Sequence, residues 1–156
     1  VIAMAKRQNI PESEYLKGLN EVTENIQEAV DNMVSGSVQG LADALLYVAS
    51  ESQQRAPVDT GDLRGSVEVK INGEDYACGE KGGGLTVNGS IPKNADIDRV
   101  VGEVSYNTKY AANQHEHTEY DHPRGGQAKY LESVLVEEKD RILKLIAGGV
   151  INEMMN

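Results

Sequence analysis

The chain has 156 residues, no Phe, no Trp, seven Tyr and a formal charge of −10. That length suits one compact domain, and such acidity argues against a sequence-reading DNA-binding module, because phosphate contacts dominate nucleic-acid affinity. The single cysteine, Cys78, excludes an internal disulfide framework or a cysteine-rich zinc knuckle. No apolar run approaches the length of a membrane span, and the opening residues lack the basic-then-apolar order of a signal peptide. Aliphatic side chains must therefore fill a modest core, with much of the Tyr expected near the surface or between subunits.

Residues 1–10 read as a disordered or expression-derived N-terminus, 11–147 as a single domain and 148–156 as a tail. From Pro11 to about Gln53, Leu16, Leu19, Val22, Ile26, Ala29, Met33, Leu41, Leu45 and Val48 recur at helical steps. Glu21, Glu24, Glu28 and Asp31 cover much of the rest. Gly36 and Gly40 weaken the middle, each by about 1 kcal/mol against Ala, so one long kinked helix or two consecutive helices both fit. Such length exceeds what a small domain needs to cover its own core, and an overhanging helix is a common way to meet a neighbouring subunit.

Pro57 stops the helix by excluding Ala56 from the α region. Asp59 and Asp62 have the spacing of an N-cap and N3 pair, which predicts a single helical turn. Gly61 and Gly65 permit positive φ, and Leu63 is the apolar residue that pins the turn to the core. Val67, Val69 and Ile71 then alternate with Glu68 and Lys70 as a half-buried strand. Asn72-Gly73 is a hairpin turn pair, with a return strand through Tyr76 and Cys78. Residues 79–98 form a Gly-rich polar loop with a short β excursion at Thr86 and Val87. The Gly82-Gly83-Gly84 run lacks the Gly-Lys-Ser/Thr ending of a phosphate loop. A further strand spans 100–106. A last helix runs from Gly125 to about Ala147, where Gly148-Gly149 ends it. The order defines an α+β domain: a long N-terminal helix and a C-terminal helix packed on a small, mostly antiparallel β-sheet.

All three histidines, His115, His117 and His122, lie in one stretch interleaved with Glu116, Glu119 and Asp121. On a strand His115 and His117 would share a face, and His122 or Glu119 could complete a metal site. The spacing nevertheless matches no zinc signature such as His-Glu-x-x-His. The plainer reading is a solvated loop whose imidazoles make ordinary hydrogen bonds or cap the next helix. A metal-dependent hydrolase at this cluster is the alternative from a different functional class. No serine has a Gly-x-Ser-x-Gly context, and Cys78 with a downstream His is a faint pairing, more often a small packed residue. No catalytic residue and no cofactor are expected.

Residues 56–67, APVDTGDLRGSV, closely resemble the Ala-Pro-Val-Asp-Thr-Gly-x-Leu-Arg-x-Ser motif of phage tail-component or tail-completion proteins, often called minor capsid proteins. Residues 104–116, VSYNTKYAANQHE, look like the strand-to-"Tyr-Ala…Glu" segment of that family. His122-Pro123 and residues 125–132, GGQAKYLE, look like its variant with a helix opening on Lys-Tyr-Leu-Glu. The resemblance runs from about Leu41 to Ile146. Many members carry Glu-Phe-Gly-Thr after Tyr-Ala, where this chain reads QHEHTE.

The resemblance implies a non-enzymatic structural protein of the virion, present in the host cytoplasm during assembly. It implies a homo-oligomeric ring, commonly a hexamer, at the head–tail neck between the head connector and the tail-tube proteins. DNA passes through such a ring without sequence-specific binding, and no membrane is involved. A prophage binding protein with no virion role is a further alternative. Pro57, Asp59, Thr60, Gly61 and Leu63 would build the helix-to-strand turn. Tyr110, His115, Glu116, His122, Lys129, Tyr130 and Glu132 would shape the segment that docks the last helix or a neighbour. The Gly-rich loop 79–98 would order on assembly.

Overall fold

The computed structural model describes residues 12–92 and 99–155. The expectations for residues 1–10, for the helix start at Pro11 and for the 93–98 part of the Gly-rich loop fall outside the described residues.

The N-terminal pattern forms one unbroken helix, α1 (Glu12–Arg55). The last helical pattern splits. Residues 125–129 stay non-helical, α4 spans Tyr130–Glu137, and Glu138 (φ −102°, ψ 15°) separates it from α5 (Lys139–Met155). Two shorter helices, α2 (Asp62–Gly65) and α3 (Ala111–Glu116), punctuate the chain. The strands are β1 (Val67–Ile71), β2 (Glu74–Gly79), β3 (Leu85–Val87) and β4 (Gly102–Tyr106). They form one four-stranded antiparallel sheet in the order β3-β2-β1-β4. The alternation in β1 appears as expected: Val67, Val69 and Ile71 are buried, while Glu68 and Lys70 are only partly so. Asn72 (φ 53°) and Gly73 (φ 81°) make the left-handed turn into β2, as Asn-Gly pairs do.

The C-terminal half of α1 lies across the sheet. Val38, Ala42, Leu45 and Ala49 meet Val67, Val69, Ile71, Tyr76 and Ala77 in the main core. A second cluster gathers Ala56, Leu63, Ala111 and Tyr130 at the helix end. Two tyrosines are more interior than composition suggests: Tyr76 and Tyr130 are buried, while Tyr110 and Tyr120 follow the surface expectation. Burial is tolerable where the hydroxyl finds a partner, and Tyr130 Oη donates to the Ala111 carbonyl at 3.1 Å.

α5 does not end at Gly148-Gly149, and Gly36 and Gly40 do not break α1. Gly36, Gly40 and Gly149 are where the two helices touch. A Cβ on Gly149 would stand 2.1 Å from the Gly36 carbonyl oxygen and 2.5 Å from the Gly40 nitrogen. One on Gly40 would stand 2.3 Å from the Ile146 carbonyl oxygen. Close backbone approach outweighs the propensity cost of glycine, as at small-residue helix crossings in general. Gly148 has no such neighbour within 4 Å. Gly148→Ala is therefore expected to stabilise by up to about 1 kcal/mol. Gly149→Ala should destabilise by about 2 kcal/mol, overpacking exceeding the propensity gain. Urea unfolding of the two variants checks this; a gain in both would refute the contact.

Candidate functional site: the helix-end turn and the segment docked on it

The two stretches that stood out in sequence are neighbours in space. α1 ends at Arg55, and Ala56 N–H closes its last turn on the Ser52 carbonyl at 2.8 Å. Residues 57–61 then turn the chain back. Gly61 adopts φ 83° ahead of α2, a left-handed conformation that costs a non-glycine residue about 1–2 kcal/mol. The Asp59/Asp62 capping pair does not form, because Gly61 occupies the N-cap position and no side chain caps the turn. Asp62 instead accepts from Thr60 Oγ1 at 2.5 Å and pairs with Lys81 at 2.9 Å. These two contacts hold its carboxyl below the usual range, Thr60 first. Asp59 reaches across to Arg124 at 2.9 Å. Gly65 has no positive φ among the described backbone; its role is close approach to Lys81, whose Cα would lie 3.1 Å from a Cβ there. Leu63 is buried against Ala56, Ala111 and Tyr130, as expected.

Arg64, Gln53 and Arg55 contribute more than their sequence positions announce. The Arg64 guanidinium donates to the Ala56 carbonyl at 3.1 and 3.0 Å and to that of Gln54 at 3.0 Å. It thereby caps carbonyls at the negative end of the α1 dipole. The buried Gln53 amide donates to the Arg64 carbonyl at 2.7 Å and the Gly84 carbonyl at 2.9 Å, tying α1 to the Gly-rich turn. Arg55 pairs with Glu137 at 2.5 Å and Glu138 at 3.6 Å. A basic residue just beyond a helix end was the available signal for Arg64; Gln53 had none.

The second segment lies along this turn. Val58 N–H donates to the Gly125 carbonyl at 3.1 Å and Gln127 N–H to the Arg55 carbonyl at 2.8 Å. Between these bonds Gly126, at φ 95°, sits so close that a Cβ would be 2.4 Å from Pro57 Cα. A cleft of about 530 Å³ opens between the segments, lined in part by Thr60, Gly61, Tyr110, Gln114 and His122.

The histidines disperse rather than converge. Residue 115 lies in α3 and residue 117 is its C-cap, so the shared strand face does not exist; two helical steps turn about 200°. His115 Nδ1 meets Glu116 at 2.7 Å, and its ring stands edge-on to Tyr130 at 4.9 Å. Since a carboxylate can only accept, Nδ1 is the donor. Nε2 then accepts the Glu132 N–H at 3.4 Å. The His115 carbonyl accepts Lys129 N–H at 2.8 Å, so this residue holds the start of α4. Lys129 stays in a left-handed conformation (φ 54°) and bridges Glu116 and, at 3.0 Å, Glu132. The Lys129 ammonium, then His115, lowers the Glu116 carboxyl below its ordinary range. His117 instead pairs with Glu119 at 2.6 Å and stacks on Tyr120. The His122 carbonyl accepts Gly125 N–H at 2.9 Å. Its Nε2 is buried without a partner. Among the described residues no group of three or more His, Cys, Asp or Glu is placed to hold a metal ion, and no helix is long and apolar enough to cross a membrane.

Tyr106 links this region to the core, with its hydroxyl 2.8 Å from Ser52 Oγ and its ring edge-on to Tyr130. Burial pushes its pKa up to about 12 from 10.0. The folded state therefore resists ionisation that the unfolded chain accepts. The associated stability is complete below pH 10 and is lost as pH rises toward 12. The loss from this group is at most roughly 2–3 kcal/mol. Tyr106→Phe should flatten the decline of stability across that window in urea titrations; an unchanged slope would contradict the assignment.

The four-stranded sheet, the long helix across it and the glycine-built turn at the helix end define an acidic α+β domain. A family model described as "Bacteriophage HK97-gp10, putative tail-component" matches residues 17–117, and the chain belongs to this HK97-gp10-like family. The match covers α1 from residue 17 onward, the turn, the sheet and α3; the Gly125–Glu132 likeness lies beyond it. Neither a curated protein nor a solved structure is found to match the chain.

Proposed function

We propose that this phage tail component acts at the head–tail neck, as a tail-completion or joining protein without catalytic activity. It assembles as a homo-oligomeric ring in the virion, between the head connector and the tail tube, and DNA passes through the ring. The family match over residues 17–117 carries this reading. The formal charge of −10 supports it, since carboxylates facing a lumen repel phosphate and keep the passage free of binding. The residues of the helix-end turn and its docked segment are structural in this reading: they fix the angle between α1 and the sheet. Deleting the gene from the phage should leave DNA-filled heads and finished tails that fail to join. Joined, infectious particles from the deletion would overturn it.

A further inference from the structure

The apolar stripe of α1 has two fates along its length. From Gly36 to Gly40 it is covered by α5. Toward the N-terminus it is bare: Leu16, Leu19, Val22, Ile26 and Met33 are 51%, 51%, 53%, 60% and 42% exposed. The spacing is heptad-like. Leu19, Ile26 and Met33 take position a, Val22 and Ala29 position d, and Leu16, Thr23 and Val30 position e. The seam then runs on through Gly36 (d) and Gly40 (a), where α5 already occupies it. The open stretch is thus a continuation of a helix-packing interface. An apolar a/d/e face is wider than a two-stranded seam and suits a bundle.

Charge identifies the occupant. Glu21 and Glu28 fall at position c, Glu24, Asp31 and Lys17 at f, all away from the seam. The flanks are neutral: Asn20 and Gln27 at b, Gly18, Asn25 and Asn32 at g. A chain carrying −10 would ordinarily repel its own copies. Here the bare face of α1 is also where acids are missing, so identical helices can meet on it. A membrane surface would call for basic flanks, and a dissimilar helical partner for charges beside the seam that pair across it.

We infer that residues 16–33 of α1 pack against the same segment of other copies of this chain as a helical bundle. The test uses the full chain with Cys78→Ser, adding either Ile26→Cys in the seam or Glu24→Cys opposite it. Each protein is sedimented and treated with a short bismaleimide. The expected result is an oligomer in which Ile26→Cys links copies at least about tenfold faster than Glu24→Cys. An oligomer with equal or no linkage at both positions would overturn the bundle and leave the ring standing. A monomer that links at neither position would overturn both. In an otherwise unaltered chain, Ile26→Asp should raise the concentration for half-assembly at least tenfold with helix content unchanged; an unshifted midpoint counts against the bundle.

Discussion

Gly126→Ala is expected to cost about 3–5 kcal/mol, combining backbone strain and overpacking. At φ 95° the backbone is one that L side chains rarely adopt, and the added methyl would fall 2.4 Å from Pro57 Cα and 2.5 Å from the Ala56 carbonyl oxygen. Both obstacles are backbone, flanked by the Val58–Gly125 and Gln127–Arg55 hydrogen bonds, so neither strand of the contact can yield without breaking a bond. Gly125 provides the internal control. Its φ is 96°, but nothing lies within 4 Å of its Cβ position. Gly125→Ala should therefore show strain alone, about 1–2 kcal/mol. Urea midpoints at constant slope separate the two. Equal losses would mean that the docking of residues 125–127 on Pro57 contributes nothing.

Tyr130→Ala should destabilise by about 3–5 kcal/mol, the range for removing a buried aromatic ring. Tyr130 is 1% exposed and stands at the junction of Leu63, Ala56 and Ala111. Its ring meets the rings of Tyr106 and His115 edge-on, each at 4.9 Å. Tyr130→Phe keeps that packing and removes only the hydroxyl donor to the Ala111 carbonyl, for about 1 kcal/mol. His115→Ala removes one edge contact and the acceptor for the Glu132 N–H, also about 1 kcal/mol. If Tyr130→Ala fell within the range of the other two, the second cluster would be a surface feature rather than a core.

Legibility in the sequence tracked the range of the interaction responsible. β1, with its period-two burial, and the Asn72-Gly73 turn are local patterns and appear as read. Leu63 was legible because it is the sole large apolar residue in its turn. Gly36, Gly40 and Gly149 were misread as weak points and a stop because their value lies more than a hundred residues apart in the chain, in a helix-to-helix contact. Asp59 and Asp62 had capping spacing, but partners from afar, Arg124 and Lys81, claim both carboxylates. His115 and His117 looked paired only on the assumption of a strand; α3 sends them apart. The family resemblance joined the 56–67 and 125–132 stretches by order alone. Their hydrogen-bonded contact across Gly126 is tertiary information.

The unbroken course of α1 has a mechanical consequence. Forty-four residues make a rod, about 66 Å long at 1.5 Å per residue. It is clamped from Gly36 onward by α5 and the sheet, while Leu16 stands 20 residues ahead of that clamp, a free arm of about 30 Å. A 10° tilt at the clamp would sweep the tip through about 5 Å. At the other end the same rod terminates in Arg55, fastened to Glu137, Glu138 and Gln127. A lever so built couples whatever seizes its tip to the docked turn at its base, with no hinge between them.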